Sequence, residues 1–312
     1  NLPTAWSNVL LAFLLVHGGW SPATELIVLL LASSSFYLGG MVLNDVYDVD
    51  RDRIERPSRP LPAGEIKIQT AKFVGLGMLV GGVLLAWLAG WIAAERVGEI
   101  AVGADPRIRC GIIGLVLAVC IWLYDGKLKD SPVAPLLMGG CRFLNVLLGA
   151  GTFVSFGSPA GIYWGVPVAV LWVAAAIGVL ICGTTLLGRN EANENQSRGW
   201  LAVAGAIIVA GLVGIASLAY CRQGIEVTAM LEKRFPLLIG LISIPIIRNV
   251  VTAVVIAKPK AIQSGVISVL RSLIILDASV CYLAAPGQAF YACAVLALMA
   301  LVFALGRFVP ST

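Results

Sequence analysis

Long apolar segments recur along the whole chain and restrict its fold more than any other feature. A membrane-spanning helix needs about 20 consecutive, mostly apolar residues. Segments of this kind cover residues 4–20, 23–44, 67–94, 109–124, 132–153, 161–183, 200–220, 232–256, 263–285 and 288–307. Because only a short Pro-Gly break separates the last two, the pattern predicts nine or ten transmembrane helices. We therefore expect an all-α, multi-pass membrane bundle.

The composition agrees with a membrane protein and argues against other classes. Of the 312 residues, 59% are hydrophobic and 12% are charged, and the mean hydropathy is +0.93. Soluble domains carry about 25% charged residues. The net charge of +5 comes from Lys and Arg in short loops, so no nucleic-acid partner is predicted. The stretches between the apolar segments are short, which predicts a single domain over residues 1–312.

The basic residues indicate which side of the membrane the loops face. The loops after the second, fourth, sixth and eighth segments share a surplus of Lys and Arg. These residues are Arg51, Arg53, Arg56, Arg59, Lys67, Lys127, Lys129, Arg189, Arg198, Lys258 and Lys260. Cytoplasmic loops of membrane proteins carry such a surplus. We therefore expect these four loops, which include the acidic motifs described next, on the cytoplasmic side.

An acidic stretch follows the second apolar segment. At helical spacing Asp45, Asp48 and Asp52 lie on one face, and Asn44 joins Asp48 at the i+4 position. Oxygen ligands without His or Cys suit Mg²⁺, which binds through few carboxylates and often through substrate phosphates. The stretch therefore predicts a magnesium site made of these four residues. The alternative is a solvated acidic helix end that is paired with nearby arginines.

A basic, proline-rich tail comes directly after the acidic stretch. Asp50 points away from the acidic face, and Arg51 or Arg53 is placed to neutralise it. Three prolines keep residues 56–64 out of a helix, and the tail is long enough to fold over the site. Arginines beside a magnesium-carboxylate cluster can bind phosphate oxygens. Arg59 is therefore a candidate for binding a diphosphate.

These residues carry a resemblance to a known family. The pattern N-D-x-x-D-x-x-x-D, followed by R-x-x-R-P-L-x-x-G, resembles the first signature of the UbiA superfamily of intramembrane prenyltransferases. The resemblance implies a helical bundle around a central cavity, where Mg²⁺ and two acidic motifs hold a prenyl diphosphate. Asp45 and Asp48 would then be catalytic. The implied activity is Mg²⁺-dependent transfer of an isoprenyl group to a lipophilic acceptor within the membrane.

Two further loops resemble parts of the same family. The segment from Tyr124 to Lys129 looks like the family's Tyr-x-x-x-Lys segment and gives Lys127 as a catalytic, diphosphate-binding candidate, although it is also an ordinary basic loop. The family's second motif carries two Asp residues, whereas residues 184–195 contain none and offer Glu191 and Glu194. These two are candidate ligands of a second Mg²⁺. This variant is more similar to the EboC-like branch of the superfamily than to the quinone-pathway enzymes.

Polar residues also occur inside the apolar segments. An arginine at membrane depth normally faces a cavity or a partner. Arg142 and Asn145, three residues apart, are therefore candidate diphosphate ligands, although a structural ion pair explains Arg142 equally well. Asp277 is expected to pair with Arg248 or Arg271 across neighbouring helices.

Two classes of function follow from these observations. A prenyltransferase needs no covalent nucleophile, which fits a chain with a single His and no Ser-His or Cys-His arrangement. Its expected partners are a prenyl diphosphate, a lipophilic acceptor and membrane lipids. The altered second motif suits instead an isoprenoid-binding or lipid-carrier protein that kept the fold and lost efficient catalysis. An ion-coupled transporter is disfavoured, because the acidic cluster lies at the membrane edge rather than at its midplane.

Overall fold

The computed structural model describes residues 2–98, 105–154, 161–189, 197–221, 229–285 and 287–308, and most of them are helical. The helices are α1 (Leu2–His17), α2 (Ala23–Tyr47), α3 (Val49–Glu55), α4 (Ile68–Val97), α5 (Pro106–Leu123), α6 (Ala134–Gly149), α7 (Val168–Gly188), α8 (Arg198–Ala216), α9 (Ala229–Ile256), α10 (Pro259–Ala284) and α11 (Ala289–Phe308). A π-helical turn (Tyr124–Leu128) extends α5, and a 3₁₀ turn (Ser217–Tyr220) extends α8. In the described ranges, β1 (Ile162–Tyr163) and β2 (Val166–Pro167) form one short antiparallel hairpin.

Each predicted apolar segment corresponds to one helix, and the short helix α3 is additional. Within the described residues, seven helical segments are long and apolar enough to cross a membrane. They comprise α2, α4, α5 with its π-turn, α7, α8 with its 3₁₀ turn, α10, and α9 from Glu232 onward. Helices α1 and α6 and the stretch Ala289–Val302 of α11 are apolar but shorter. The chain is therefore an integral, multi-pass membrane protein, and a total of nine or ten crossings stays a prediction.

The helix ends follow ordinary sequence signals. Asp105 precedes α5 and accepts a hydrogen bond from the Arg107 amide at 2.8 Å, while Pro106 occupies the first helical position. Gly98 follows α4 at a φ of +77°, a conformation that glycine adopts without steric cost. Pro259 begins α10. These residues mark where one apolar helix ends and the next begins.

Successive long helices pack side by side, and α1 links the two ends of the series. The packing runs from α2 to α4, α5 and α6, and then through each neighbour to α11. Helix α1 contacts α2, α6 and α10. Its side chains Leu11, Phe13 and Leu14 are fully buried in the central apolar core. The first helix of the chain therefore lies inside the bundle and joins its early and late helices.

Glycines on α4 determine how closely α2 and α5 each pack against α4. A Cβ on Gly75 would lie 2.8 Å from Leu43 Cγ, and a Cβ on Gly90 would lie 2.8 Å from the carbonyl carbon of Pro106. Gly77 and Gly81 on the same helix face open space. Small residues let membrane helices pack backbone to backbone. Only part of the glycine content of α4 is therefore required by packing.

We expect Gly90→Ala to destabilise the protein and Gly81→Ala to be neutral or slightly stabilising. The Gly90 substitution forces a methyl group against the α5 backbone, and overpacking of this kind costs about 1–3 kcal/mol. The Gly81 substitution meets no neighbouring atom and removes a glycine from a helix interior, which favours the helix by up to about 1 kcal/mol. Thermal unfolding in detergent, followed by circular dichroism, measures both effects. Equal melting temperatures for the two variants would contradict the packing described for α4 and α5.

Candidate functional site

A cavity of about 360 Å³ lies against α2, α5 and α6. Its walls are mainly apolar and include Phe36, Met41, Leu117, Ile121 and Met138. Polar side chains lie at its two ends. At the outer end, Asn44 and Asp45 belong to the last turn of α2, and at the inner end Arg142 and Asn145 belong to α6. The cavity is therefore amphipathic along its length.

The predicted acidic motif lies at the outer end, where α2 stops. Helix α2 runs to Tyr47, Asp48 leaves the helical geometry with φ −87° and ψ 0°, and α3 begins at Val49. The Asp48 amide donates to the Asn44 carbonyl, and the Asp52 amide to the Asp48 carbonyl, each at 2.9 Å. The backbone bonds thus continue through the break. The side chains of this stretch stay close together and share two cations.

The first cation is Lys129, which comes from the loop after α5. Its Nζ donates to Asn44 Oδ1 at 2.7 Å and also to an Asp48 carboxylate oxygen. Lys127, the residue predicted from the sequence, is exposed and lies over the Trp122 ring with Nζ 5.8 Å from the ring centroid. The structure therefore brings Lys129, and not Lys127, onto the acidic motif. A catalytic role of Lys127 stays a prediction.

The second cation is Arg59, from the proline-rich tail. Its Nη1 donates to Asp52 Oδ2 at 2.8 Å and lies 3.4 Å from Asp45 Oδ1. The tail turns back on itself, and the Ala63 amide donates to the Arg59 carbonyl at 2.8 Å. The Asp52 side chain is 6% exposed and the Asp45 side chain 49% exposed. The tail thus folds over the motif as expected, and Asp45 is left as its most accessible carboxylate.

Asp50 lies apart from the cluster, in agreement with the sequence. Arg53 Nη1 donates to Asp50 Oδ1 at 2.7 Å, and both side chains are exposed. This pair contacts neither the cavity nor the two site cations. Substitution of Asp50 can therefore serve as a control for substitutions of the other carboxylates.

The donor atoms fit Mg²⁺ in kind. Asn44, Asp45, Asp48 and Asp52 offer oxygen only, and Asn44 and Asp45 line the cavity. Within the described ranges, no group of three or more His, Cys, Asp or Glu side chains is arranged to hold a metal ion. Mg²⁺ commonly binds through one or two carboxylates, water and substrate phosphates. The oxygen donors of this stretch are therefore of the kind that Mg²⁺ binds.

Asn145 lies at the inner end, distant from the acidic motif. Its Oδ1 accepts from Ser33 Oγ at 2.7 Å, and its Nδ2 donates to the Ala5 carbonyl at 2.9 Å. Ser33 precedes Asn44 by eleven residues on α2, which corresponds to about 16 Å at 1.5 Å per residue. The Asn145 side chain therefore links α6 to α1 and α2. The role in diphosphate binding predicted for Asn145 is not supported by contact with the motif.

Arg142 also lines the cavity, one turn from Asn145. Its Nη2 donates to Thr4 Oγ1 at 2.9 Å, and its Nη1 donates to Asn8 Oδ1 at 3.3 Å. Both partners are uncharged residues of α1. Arg142 thus lies within reach of a substrate in the cavity, and its assignment to the diphosphate stays a prediction.

Asp277 completes the inner polar network from α10. Asn8 Nδ2 donates to Asp277 Oδ2 at 2.9 Å, and Ser7 Oγ donates to the same oxygen. The expected pairing with Arg248 or Arg271 is wrong, because both arginines are exposed whereas Asp277 is fully buried. The physical reason is the position of α1, which packs against the buried face of α10. Sequence periodicity does not reveal that contact.

Asp125 is a cavity residue that the sequence analysis did not single out. It belongs to the π-helical turn after α5, is 8% exposed, and lines the cavity together with Asn44 and Asp45. The available signal was an acidic residue directly after the aromatic end of an apolar segment. Because a basic loop follows immediately, that signal is easily read as ordinary loop composition.

The second acidic motif cannot be placed on this site. Glu191 and Glu194 fall in residues 190–196, outside the described ranges. They stay predicted ligands of a second ion.

Comparison with known proteins agrees with the resemblance seen in the motif. Residues 4–95 match the model of the UbiA prenyltransferase family. A digeranylgeranylglyceryl phosphate synthase from Methanoculleus marisnigri is 31% identical over 133 residues, which span 43% of this chain and 41% of that protein. The aligned part is thus about two fifths of that relative's own length. The matches found do not test an assignment to the EboC-like branch.

Solved structures resemble the chain over most of its length. A structure of a digeranylgeranylglyceryl phosphate synthase has a TM-score of 0.65 and 18% identity, over 91% of this chain and 94% of that one. A UbiA homologue from Aeropyrum pernix K1 has a TM-score of 0.61 and 15% identity, over 88% of this chain and 97% of that one. At these identities the likeness concerns the fold alone. The chain is thus related to the UbiA prenyltransferase family through the sequence of residues 4–95 and has the UbiA fold across its described helices.

Proposed function

We propose that this protein transfers an isoprenyl group from a prenyl diphosphate to a lipophilic acceptor within the membrane, with Mg²⁺ as cofactor. One observation carries the proposal: a cluster of oxygen ligands and two cations lies at one end of a mainly apolar cavity. A prenyl diphosphate has the same polarity, with a charged head and a hydrocarbon tail. We place the motif loops on the cytoplasmic side, because the basic residues of the chain collect there.

The site residues have distinct roles in this proposal. Asn44, Asp45 and Asp48 would hold Mg²⁺ with the diphosphate, and the ion would supply Lewis-acid stabilisation of the leaving group. Lys129 and Arg59 stabilise the negative charge that grows on the diphosphate as the allylic C–O bond breaks. The apolar walls bind the isoprenyl tail and keep water away from the allylic cation. The acceptor then captures that cation.

Relatives support the proposal through the activities in their names. The protein from Methanoculleus marisnigri is a digeranylgeranylglyceryl phosphate synthase, which is a prenyltransferase. A UbiA homologue from Archaeoglobus fulgidus, with a TM-score of 0.50 and 16% identity over 95% of this chain and 97% of that one, was solved with DMAPP and Mg²⁺. These properties belong to those proteins. They make a prenyl diphosphate and Mg²⁺ the first ligands to test here.

A second candidate is an isoprenoid-binding or carrier protein. It is favoured by residues 184–195, which lack the aspartates of the family's second motif. Such a protein would bind a prenyl diphosphate with Mg²⁺ and would not turn it over. The two candidates therefore differ in product formation and not in binding.

We expect Asp45→Ala and Asp48→Ala to lower Mg²⁺-dependent transfer by about 10²-fold or more, because each removes an oxygen that holds the donor head group. Asp50→Ala is the matched control and should retain wild-type activity, since among the described residues Asp50 forms an ion pair only with exposed Arg53. The assay uses purified protein in lipid nanodiscs, Mg²⁺, a native membrane lipid extract, and labelled geranyl, farnesyl and geranylgeranyl diphosphates. Released diphosphate and new prenylated lipid are both measured.

The same assay separates the two candidate functions. Wild-type protein that releases diphosphate and forms a prenylated lipid supports the transferase. Mg²⁺-dependent donor binding without either product supports the carrier. Transfer that is unchanged in Asp45→Ala and Asp48→Ala would show that the reaction occurs elsewhere.

We expect Lys129→Met to lower transfer by about 10²-fold and Lys127→Met to have a much smaller effect. Lys129 contacts Asn44 and Asp48, and loss of a cation at the leaving group removes charge stabilisation. Lys127 lies over Trp122 instead. Steady-state rates of the two variants, each with its donor dissociation constant, measure the difference. A larger loss in Lys127→Met would favour the assignment made from the sequence.

A further inference from the structure

Asp125 is a buried carboxylate that has no hydrogen-bond partner in the part of the chain that the structure describes. It is 8% exposed, lines the cavity, and makes no hydrogen bond or ion pair with the described residues. It lies on the π-helical turn Tyr124–Leu128. Turns of this kind are rare and frequently occur at functional sites. Its lack of a hydrogen-bond donor and its backbone conformation both distinguish it from the carboxylates of the acidic motif.

Asp125 lies opposite Gly40 of the facing helix α2. A Cβ added to Gly40 would lie 3.7 Å from Asp125 Oδ2 and 3.0 Å from Ile121 Cγ2. Gly40 precedes Asn44 by one helical turn, so Asp125 lies about 6 Å further into the cavity than Asn44. Its carboxylate interacts electrostatically with Lys129, Asp48 and Asp45. The carboxylate thus lies between the acidic motif and the apolar part of the cavity. The reactive end of a bound donor would be beside it.

A buried carboxylate needs hydrogen-bond donors, because its desolvation is otherwise costly. Tyr37, Tyr124 and Cys141 also line the cavity, but none of these described side chains forms a hydrogen bond with Asp125. A prenyl diphosphate supplies no donor near this point, since it consists of anionic phosphates and a hydrocarbon chain. A second molecule bound in the cavity can supply this donor.

We propose that Asp125 accepts a hydrogen bond from an O–H or N–H group of the acceptor and takes that proton during transfer. The proposal rests on the transferase function given above. The donor C1–O bond breaks, and its electron pair leaves with the diphosphate. A lone pair of the acceptor oxygen or nitrogen forms the new bond to C1, and the proton on that atom passes to the Asp125 carboxylate. The acceptor class is accordingly an alcohol, a phenol or an amine prenylated on its heteroatom.

The test compares wild-type protein with Asp125→Asn, Asp125→Glu and Asp130→Asn. Asparagine keeps the size of the side chain and cannot take the proton, whereas glutamate keeps the carboxylate. Asp130 is the control, because it lies in the same loop, is exposed, and offers its backbone carbonyl to Arg189 independently of its side chain. Each protein in nanodiscs is given Mg²⁺, labelled geranylgeranyl diphosphate and the native lipid extract. Measured quantities are the rate of prenylated-lipid formation, the dissociation constant of a thiolodiphosphate donor analogue, and the bond formed in the product.

We expect Asp125→Asn to lower the rate of lipid prenylation by about 10²–10⁴-fold, the range typical of a lost proton acceptor. Binding of the donor analogue should stay within about twofold of wild type, and Asp125→Glu should recover part of the rate. Asp130→Asn should match wild type. Mass spectrometry and nuclear magnetic resonance of the product should show an O- or N-prenyl bond.

Several outcomes would overturn the inference without affecting the transferase function. One is wild-type transfer that persists in Asp125→Asn, and another is a product with a new C–C bond. A large loss of Mg²⁺-dependent donor binding in Asp125→Asn would make Asp125 part of the metal site instead. Absence of transfer by the wild-type protein would contradict the proposed function itself, and this inference with it.

Discussion

The pairing of two cations with the end of α2 is the interaction on which the site depends. Lys129 joins Asn44 and Asp48, and Arg59 joins Asp45 and Asp52. Carboxylates removed from water are costly without such partners. Because Lys129 follows α5 and Arg59 follows α3, the pairing brings three separate chain segments to one end of the cavity. Neutralisation of these carboxylates by Lys129 and Arg59 therefore holds together the residues at the outer end of the cavity.

A second polar cluster stabilises the inner end of the same cavity. Asp277, Asn8 and Arg142 form a chain of hydrogen bonds from α10 through α1 to α6. Such bonds between membrane helices contribute on the order of 1 kcal/mol each. Their greater effect is positional, since they fix a short inner helix among longer ones. The cavity consequently has two polar ends with an apolar region between them. The charged head of a substrate can bind at the outer end, and its tail can lie along the apolar region.

Much of the site was predictable from local spacing. The placement of Asp45 with Arg59, and the separate pairing of Asp50 with Arg53, follow from helical geometry and a tail that folds back. Lys129 was not predictable, because the π-helical turn after α5 changes which side chains of that loop face α2. The environment of Asp277 depends on α1, a helix separated from it by most of the sequence.

The sequence by itself determined that this is a multi-pass helical membrane protein with an acidic motif and a basic tail. Those conclusions need only hydropathy, spacing and charge, which are properties of neighbouring residues. Only the tertiary structure decided which lysine reaches the motif, that α1 lies inside the bundle, and that Asp125 has no hydrogen-bond partner among the described residues. The physical reason is that hydrogen bonding and burial of a side chain depend on helices that approach from distant parts of the chain, and local periodicity carries no record of that approach.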